Sequence, residues 1–432
     1  MRSLWNETVS RHVFPTLESD IRTEVLIIGG GIAGILTAYF LQQNGVPYIL
    51  AEKDRICGGT TGNTTAKITY QHGLTYHKIL RGSGLEKARM YLQANCAAFE
   101  KYAALCQEID CGYETKNNYV YVTDDRQKLD DELNALSQIG YDAVFVKDLP
   151  LPVDTAGAVC FEDQAQFHPL RFLYAIAKDM NIYEHTFVRE MDGTAAVTDR
   201  GQIRADKVIV TTHFPMLNKH GSYFLKLYQH RSYVIALENA QNVSGMYVDD
   251  SKTGFSFRNY NNLLLLGGGG HRTGKSGGNW NELRRFAGEA YPDAVERYCW
   301  AAQDCMSLDH IPYIGNYSRN TPDLYVASGF HKWGMTGAML AAMMLSDRIC
   351  GRHNDFAEAF DPSRSILRTQ LFVNGLESVR NLATPSKKRC PHLGCALKWN
   401  PDEHSWDCAC HGSRFDESGK VLDNPANGDL KS

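Results

Sequence analysis

A glycine-rich turn near the amino terminus constrains this fold more than any other feature of the chain. Residues 29–34 are Gly-Gly-Gly-Ile-Ala-Gly and match the pattern G-x-G-x-x-G. A β-branched and aliphatic run at residues 24–28 precedes the turn and predicts a buried parallel strand. Residues 32–44 carry apolar side chains at helical spacing and end at Gly45, and residues 47–51 predict a second strand. This order of strand, tight turn, helix and strand predicts the βαβ unit of a nucleotide-binding sheet.

The residues of the turn have distinct predicted roles. Gly29 permits the tight turn, Gly31 lets a pyrophosphate approach the helix N-terminus, and Gly34 lets helix and strand pack closely. Glu52 ends the second strand, where its carboxylate can accept hydrogen bonds from both hydroxyls of a ribose. The acid favours a dinucleotide without a 2′-phosphate, which is FAD or NAD. The alternative is a tight turn that binds nothing, and the order of elements counts against it.

Two short Cys/His loops lie close to the carboxyl terminus. Residues 390–392 are Cys-Pro-His, and residues 408–411 are Cys-Ala-Cys-His. Two thiolates and two imidazoles are the ligand set of a [2Fe–2S] centre that has Cys on one iron and His on the other. A structural zinc site uses the same ligand types and is the alternative. An additional Cys in each loop and the Gly-Ser after the second loop count against zinc.

This segment resembles the cluster-binding segment of Rieske iron–sulfur proteins over about residues 386–430. Leu-Gly-Cys follows the first Cys/His pair and Gly-Ser follows the second, as in that family. The resemblance implies a Rieske [2Fe–2S] cluster with the ligands Cys390, His392, Cys408 and His411. It also implies a disulfide between Cys395 and Cys410.

Two departures from the Rieske pattern lead to predictions. Only a linker precedes Cys390, so the base of the domain is expected to be reduced or supplied by the rest of the chain. Phe415 stands where many high-potential relatives have Tyr, while Ser413 is kept. The missing hydroxyl removes a hydrogen bond to a ligand sulfur, which predicts a mid-range reduction potential.

Residues 22–363 resemble the D-amino-acid-oxidase-like (DAO) flavoprotein family. The Gly/Thr-rich loop at residues 57–67 is similar to its second loop, and residues 328–337 with the helix after them are similar to its last flavin-binding element. The resemblance implies FAD and places His331 and Lys332 beside the isoalloxazine, as catalytic candidates whose alternative is a structural role. Together with the turn, it implies these cofactor-binding residues: Gly29, Gly31, Ile32, Ala33, Gly34, Glu52, Thr60, Thr61, Thr65, Val188, Gly315, Gly329, Trp333, Gly334, Met335 and Thr336.

The expected fold is α/β, with a Rossmann-like FAD-binding domain of the GR2/DAO type, an interleaved α+β substrate domain and a small all-β Rieske-like module. The predicted boundaries are an extended amino-terminal arm at 1–21, the DAO-type part at 22–363, a linker helix at 364–385 and the module at 386–432. Within the DAO-type part, the FAD-binding segments are about 22–80, 155–215 and 310–352, and the substrate segments are about 81–154 and 216–309.

Charge and hydropathy exclude several classes of function. The net charge of −4 predicts neither a nucleic-acid partner nor a polybasic membrane contact, and no apolar run is long enough to span a bilayer. The amino terminus has no signal-peptide pattern, so a cytoplasmic location is expected. Residues 269–276 fit G-x-x-x-x-G-K-S, but the next two glycines break the helix that phosphate binding requires. We interpret this stretch as a loop beside the active site, with His271 or Arg272 as a possible substrate contact.

The sequence predicts an FAD-dependent oxidoreductase. It would exchange electrons between a small organic substrate oxidised at the flavin, such as an amine or amino acid, and the Rieske cluster. A redox partner protein would then serve the cluster. Two alternatives stay open: a reductase that receives electrons through the cluster, and a non-enzymatic redox sensor or electron carrier. A second dinucleotide fingerprint, which would indicate NAD(P)H as electron source, is not found in the sequence.

Overall fold

The structure is a computed structural model that describes residues 3–217, 220–250 and 254–430. The ends of the predicted arm and module, and five residues of the predicted substrate segments, lie outside these ranges. The helices are α1 (Leu4–Glu7), α2 (Ile32–Gln43), α3 (Tyr76–Ser83), α4 (Leu85–Glu108), α5 (Arg126–Ile139), α6 (Pro169–Ala177), α7 (Tyr223–Lys226), α8 (Asn279–Ala290), α9 (Gly334–Ile349), α10 (Ala357–Phe360) and α11 (Thr369–Ala383). The strands are β1 (Ile21–Ile28), β2 (Tyr48–Ala51), β3 (Lys67–Ile68), β4 (Glu114–Val122), β5 (Val144–Val146), β6 (Gly157–Gln166), β7 (Ile182–Tyr183), β8 (Val188–Asp192), β9 (Ala195–Thr198), β10 (Gln202–Val210), β11 (Leu227–Glu238), β12 (Met246–Asp249), β13 (Ser256–Tyr260), β14 (Leu263–Arg272), β15 (Val295–Ser307), β16 (Tyr313–Asn316), β17 (Leu324–Ser328), β18 (Leu397–Asn400), β19 (Ser405–Cys408), β20 (Arg414–Phe415) and β21 (Val421–Asp423).

The first sheet has the parallel core that the glycine turn predicts. Its order is β16-β17-β10-β1-β2-β7, and β8 and β9 extend it as a hairpin beside β10. Strand β1 pairs in parallel with both β10 and β2, so Ile28 lies between Val210 and Ala51. The second half of the strand, Val25 to Ile28, is apolar and buried, as expected for the centre of a parallel sheet. The carboxyl ends of these strands therefore meet at the glycine turn.

The second sheet is mostly antiparallel and forms the other large layer. Its order is β15-β11-β14-β13-β12-β4-β6-β3, with β5 beside β6. Strands β3 and β6 belong to this sheet, although the predicted FAD-binding segments included their residues. Strand β14 has antiparallel neighbours on both sides, and α8 begins only at Asn279. The G-x-x-x-x-G-K-S stretch thus lacks the parallel strand and the helix start of a phosphate-binding loop.

The amino-terminal arm is more ordered than its sequence indicated. An extended arm was expected, but α1 forms within it and packs on the body of the protein. Trp5 is fully buried, and its indole Nε1 donates to the Thr64 carbonyl at 2.7 Å. Farther along the arm, Arg11 forms an ion pair with the buried Glu184. The arm thereby holds the loop that follows β2.

The carboxyl-terminal module is small. After α11 it consists of one antiparallel sheet in the order β18-β19-β20-β21, and every strand of this sheet follows Cys390. Its core contains few residues, and four of them are cysteines. No helix in the described part of the chain is long and apolar enough to cross a membrane.

Candidate functional site

A cavity of about 1290 Å³ lies where the two large sheets and the module meet. The glycine turn and the loop after β2 line one end, and the residues before α9 line another part. Strands β11 and β14 of the second sheet contribute a further wall. The volume and mixed lining are those of a large cofactor or ligand site.

The glycine turn has the close backbone approaches that a dinucleotide site requires. Gly29 has φ +110°, and a Cβ there would lie 2.8 Å from the Thr211 carbonyl oxygen. A Cβ on Gly34 would lie 2.0 Å from the Gly29 carbonyl oxygen, so α2 could not approach β1 so closely with any other residue. Gly31, Ile32 and Ala33 line the cavity at the N-terminus of α2. The turn therefore presents bare backbone and a helix N-terminus to the cavity.

Glu52 lies at the predicted position beside this turn. Its carboxylate accepts hydrogen bonds from the backbone N–H of Gly30 at 2.7 Å and of Asp54 at 2.9 Å. Burial raises the pKa of Glu52, while these two hydrogen bonds oppose that shift. Each oxygen still has a lone pair for a ribose hydroxyl.

The loop after β2 lies against both the turn and the second sheet. Thr61 Oγ1 accepts from the N–H of Ile32 at 3.0 Å, and Thr60 Oγ1 donates to the Gln303 carbonyl at 2.7 Å. Thr60, Thr61, Thr65 and Val188 all line the cavity. These predicted cofactor contacts are therefore brought together.

The residues that were predicted to lie near the flavin fall into two groups. Trp333, Gly334 and Met335 line the cavity together with His331 and Lys332. Gly315, Gly329 and Thr336 lie outside its lining: the first faces Pro362, the second packs near Leu227, and the third bonds to the Thr69 carbonyl. The structure thus gives these three residues packing positions.

His331 and Lys332 are strained and deeply placed. Both have left-handed backbone conformations, with φ +53° and +72°. Burial lowers the pKa of His331 well below its usual value, and it also lowers the pKa of Lys332, which the nearby Asp304 carboxylate partly restores. The Lys332 side chain is accessible where it borders the cavity. Its amine is nevertheless surrounded by protein, as the lowered pKa reflects.

Unsatisfied histidine nitrogens indicate that the cavity holds a polar ligand. Nδ1 of His331, Nδ1 of His230 and Nε2 of His213 are buried and have no hydrogen-bond partner among the described residues. All three side chains line the cavity. Buried polar atoms are nearly always paired in folded proteins, so three at one cavity fit a missing polar group.

Several cavity residues were not identified from the sequence. Burial lowers the pKa of Lys67 to about 7, and its Nζ donates to Thr65 Oγ1 at 3.2 Å. His72 stacks on the Trp333 ring at 5.1 Å, and burial lowers its pKa to about 3. Lys78 forms an ion pair with Asp250 at 3.5 Å. These groups come from distant segments, and no local motif marks them.

The four predicted cluster ligands converge in the module. The His392 and His411 rings lie 4.9 Å apart and nearly perpendicular. Cys390 and Cys408 share a side-chain hydrogen bond that lowers the pKa of Cys390 to about 7, and the Ser413 side chain also bonds to Cys390. The two ligand thiols thus lie together and the two ligand imidazoles lie together, which is the pairing that a two-Cys, two-His [2Fe–2S] centre requires.

Both histidines are in the form that binds a metal. Burial lowers the pKa of His392 to about 4 and of His411 to about 3, so the rings are neutral at neutral pH. His411 Nδ1 is buried with no hydrogen-bond partner among the described residues, which leaves a ligand atom available. The donor set thus fits a two-Cys, two-His cluster.

The predicted disulfide joins Cys395 to Cys410. The sulfurs of both lie within 4.8 Å of the Cys408 sulfur. The disulfide therefore ties the two ligand loops together directly beside one of the thiolate ligands.

Side chains of the flavoprotein part donate hydrogen bonds to the backbone of the second ligand loop. The Gln229 amide donates to the carbonyls of His411 and Asn424, each at 2.9 Å, and the Gln303 amide donates to the Gly412 carbonyl at 2.9 Å. A Cβ on Gly412 would lie 2.5 Å from Gln229 Cβ, so only glycine fits this contact. The base that the module lacks is thus supplied by β11 and β15, as the sequence predicted in outline.

His271 and Arg272, the two possible substrate contacts, both line the cavity, and the Arg272 guanidinium also holds the module. Nε donates to the Ala409 carbonyl at 3.0 Å, and Nη2 donates to the Cys410 carbonyl at 3.1 Å. A Cβ on Gly274 would lie 2.5 Å from the Ala409 nitrogen. The glycine-rich loop after β14 is therefore a docking surface for the cluster loop.

A buried charge network completes the contact. Glu403 pairs with Arg231 of β11 and with Arg414 of β20, and all three side chains are largely buried. Burial alone would raise the pKa of Glu403, but the charges of Arg231 and Arg414 outweigh it and lower the pKa. The Tyr233 hydroxyl donates to the same carboxylate at 3.0 Å.

The histidine side of the cluster site faces the flavoprotein. The Phe214 ring lies 6.4 Å from the His392 ring and 6.2 Å from the His411 ring. Its neighbour His213 lines the cavity. One fully buried phenylalanine thus contacts both ligand histidines and directly follows a residue of the cavity wall.

The module also forms part of the cavity wall. Leu422, Asp423, Asn424, Ala426 and Asn427 line the cavity near the loop after β2. Lys53 Nζ donates to the Leu422 carbonyl at 2.8 Å. Sequence patterns gave no signal for this wall, because the two segments lie about 370 residues apart.

Fold and sites together define a flavoprotein oxidoreductase with an iron–sulfur module. The family model for FAD-dependent oxidoreductases of the DAO type matches residues 24–348, and the chain belongs to this family. The Rieske [2Fe-2S] domain model matches residues 361–432. FAD and a [2Fe–2S] cluster are therefore the cofactors of the protein, as the sequence predicted.

A relative with the same architecture covers nearly the whole chain. The Bacillus subtilis (strain 168) protein YhfW, which is named as a Rieske 2Fe-2S iron-sulfur protein, is 33% identical over 99% of this chain and 96% of its own length. The cytochrome b6-f complex iron-sulfur subunit 2 of Trichormus variabilis is 52% identical over 42 residues, 10% of this chain and 24% of its own. The second similarity is confined to the module.

Solved structures agree on the fold of the flavoprotein part. Glycine oxidase from Geobacillus kaustophilus aligns with a TM-score of 0.67 at 19% identity over 80% of this chain and 99% of its own. L-proline dehydrogenase from P. horikoshii aligns with a TM-score of 0.66 at 16% identity over 81% and 98%. The fold-class prediction is thereby confirmed.

Proposed function

We propose that the protein oxidises a small amine or amino acid at its flavin and exchanges the electrons with its own Rieske cluster. FAD accepts two electrons, formally a hydride, and the cluster accepts one electron at a time. The observation that carries the proposal is that the Phe214 ring contacts both ligand histidines, while the residue before it, His213, lines the cavity. This contact provides a short path through the protein between the cluster loops and the cavity.

The chain's own residues would bind and orient the substrate. The glycine turn, Glu52 and the loop after β2 would hold the adenosine and pyrophosphate, which places the flavin near His331 and Lys332. Burial lowers the pKa of Lys332, which favours the neutral amine that can accept the ammonium proton of a substrate. The strongly lowered pKa of His331 keeps its imidazole neutral, as a hydrogen-bond partner for substrate rather than a base. A deprotonated amine has the lone pair that hydride loss requires.

The names of the structural neighbours direct the choice of substrates to test. Glycine, L-proline and L-amino acids appear in the names of the oxidase, dehydrogenase and deaminase relatives. We therefore propose amino acids and related amines as the first compounds to test. We also propose a cytoplasmic location and a separate redox protein as the final electron partner.

Anaerobic mixing tests the proposal. The protein is mixed with amino acids while flavin absorbance and the EPR signal of the reduced cluster are recorded. We expect the flavin to bleach first and the cluster signal to follow. Bleaching of the flavin that never produces a cluster signal would contradict electron exchange between flavin and cluster. If a substrate is instead reduced only when electrons enter at the cluster, electrons flow from the cluster to the flavin.

A matched pair of variants separates the path from the substrate site. Phe214→Leu should slow reduction of the cluster without slowing bleaching of the flavin. Phe224→Leu is the control, because the Phe224 ring contacts His411 at 6.3 Å but neither of its neighbours in the sequence lines the cavity, whereas His213 beside Phe214 does. If both variants behave like the wild type, Phe214 is not on the path.

A further inference from the structure

Helix α11 packs on the protein with its polar side. Asn374 Oδ1 accepts hydrogen bonds from Arg272 Nη1 at 2.8 Å and from Gln370 at 3.1 Å, and Glu377 forms an ion pair with Lys275 at 2.6 Å. Gln370, Asn374 and Glu377 follow helical spacing and form one stripe. An ordinary surface helix buries its apolar stripe and exposes its polar one, so α11 is inverted.

The outer side of α11 carries large apolar side chains that no described residue covers. Phe372 is 67% exposed, Leu376 is 72% exposed and Val379 is 66% exposed. Their spacing of four and three residues places them on one face. We call this face, extended by Leu367 and Leu382 at its ends, the α11 apolar face. A contiguous apolar surface of this kind marks an interaction site.

The charges around this face select the occupant. Between residues 365 and 398 the chain has six basic residues and one acidic residue, Glu377, which is bonded to Lys275. Arg380 lies on the helix itself and Lys387 follows it, and both are exposed. The net charge of −4 for the whole chain, from which no polybasic membrane contact was predicted, hides this local excess of positive charge.

We propose that the α11 apolar face lies on an anionic lipid surface. A single helix with Phe and Leu on one side and Lys or Arg at its margins is the pattern of an interfacial helix, whose apolar side chains enter the boundary between headgroups and acyl chains. The long basic side chains reach the headgroups. The face is a ridge rather than a groove, so it fits a fluid surface.

A second copy of the chain fits this face less well. In a two-fold pair of α11 helices, the basic residues at both ends would face basic residues of the other copy. Glu377 is already paired, so residues 365–398 offer no acid to compensate. Like charges in such a contact oppose association.

This orientation places both redox sites near the lipid. Leu393, which directly follows the ligand His392, is 42% exposed, and a Cβ on its neighbour Gly394 would contact Leu382 of α11. Gln370 and Val373 of α11 line the cavity. The first cluster loop and one side of the cavity therefore border the α11 apolar face, where a lipid-soluble carrier or substrate has access.

Vesicle co-sedimentation of the full-length holoprotein tests the proposal. The protein should sediment with vesicles of phosphatidylcholine and phosphatidylglycerol, bind less as salt rises, and bind weakly to phosphatidylcholine alone. The double variant Phe372→Glu/Leu376→Glu should bind at least about tenfold more weakly, because it removes two inserted apolar groups and adds two charges.

Controls distinguish lipid binding from other causes. Val13→Glu changes an apolar side chain that is 78% exposed outside this face and should bind like the wild type. FAD content, iron content and thermal unfolding of each variant report whether it folds. Absence of vesicle binding, or equal binding by the α11 variant, overturns the proposal.

Two further results would overturn it in favour of another occupant. A sedimentation coefficient that falls from dimer to monomer in the α11 variant, without vesicle binding, would assign the face to a second copy. Salt-sensitive binding to an acidic [2Fe–2S] ferredoxin that the α11 variant loses, without vesicle binding, would assign it to a protein partner.

Discussion

The two cofactor regions of the chain are built in opposite ways. The glycine turn is made by β1, α2 and β2, which are consecutive elements held by their own parallel pairing. The cluster loops stand on a four-stranded sheet with a small core, and they depend on Gln229, Gln303 and Arg272 from the flavoprotein. A core of this size rarely stabilises a module without a metal, a disulfide or a partner surface. The FAD region is therefore a local structure, whereas the cluster region is a docked one.

Removal of one cluster ligand should have the largest effect and tests whether the two regions are separable. In His411→Ala the ligand set is incomplete, so we expect the cluster to be lost while FAD content stays near one per chain. Iron and flavin analysis of the purified variant measures both. Cys299→Ser, at a free thiol outside both regions, serves as control. Loss of FAD together with iron would show that the FAD region also depends on the module.

The buried carboxylate at the docking surface tests how strongly the module is held. Glu403→Gln leaves Arg231 without its partner in a buried position, which costs about 3–5 kcal/mol. We expect the visible absorbance of the cluster to be lost at a lower temperature, before the flavoprotein unfolds. Glu417→Gln is the matched control, because its pair with His404 is exposed and should contribute no measurable stability.

The buried pair of Glu403 and Arg231 also predicts that the stability of the module depends on pH. The pKa of Glu403 is lowered in the folded protein, so its contribution is complete above the pKa of an unfolded Glu, about 4.3, and is lost as pH falls through the lower folded value. The cluster absorbance of the wild type should therefore become heat-labile below about pH 4, and Glu403→Gln should lack this step. An unchanged step in the variant would assign the acid transition to other carboxyl groups.

The module also forms part of the cavity wall, so it is expected to have a smaller effect on the affinity for FAD. The Asn424 amide donates to the Phe214 carbonyl at 2.7 Å and to the Thr212 carbonyl, and thereby holds residues 422–427 against the cavity. Asn424→Ala removes both bonds, although the Phe214 carbonyl still accepts from Thr212 Oγ1 at 2.9 Å. Residues 422–427 are then held less firmly, so we expect FAD to bind up to about tenfold more weakly. Quenching of flavin fluorescence on titration of the apoprotein measures the dissociation constant.

A neighbouring residue provides the control for that coupling. Asn427 contacts Arg189 through its backbone carbonyl, so Asn427→Ala should bind FAD like the wild type. If both variants bind FAD normally, the module covers the cavity without contributing to the affinity, and the two regions are more independent than the contacts indicate.

The difference between the regions also explains what the sequence could predict. Residues 29–34 lie between a strand and a helix that their neighbours specify, so position and role follow from a short window. The cluster ligands were predicted because the loops resemble a known segment, and the structure places the two thiols close to each other and the two imidazoles close to each other. Chemistry encoded within about ten residues is visible in a sequence.

Contacts between distant segments were not visible. Arg272 was named with His271 as a possible substrate contact, and nothing near it indicated that it also holds a cluster loop more than 130 residues away. Trp5 was placed in an extended arm, because nothing near it indicates that the Thr64 carbonyl accepts its N–H. Lys67 and His72 border the cavity only after β3 joins the second sheet. Pairing across the chain decides all of these positions.

The ligand environment of the cluster offers the smallest and sharpest test. Phe415 is fully buried next to the ligand loops and has no hydroxyl, whereas the Ser413 side chain bonds to Cys390. In Phe415→Tyr, a hydroxyl that donates to a ligand sulfur would stabilise the reduced, more negative cluster. One such bond of about 1 kcal/mol corresponds to a rise of about 40 mV in a one-electron potential.

A redox titration followed by EPR measures this shift. We expect a mid-range potential for the wild type, a rise for Phe415→Tyr and a fall of similar size for Ser413→Ala, because that variant removes the existing bond. A wild-type potential equal to that of the high-potential Rieske class would contradict the role assigned to Phe415. A mid-range potential that neither variant changes would instead mean that the docking residues of the flavoprotein, including Gln229 and Arg272, set the electrostatics of the cluster, and the module would then depend on the flavoprotein for its chemistry as well as for its fold.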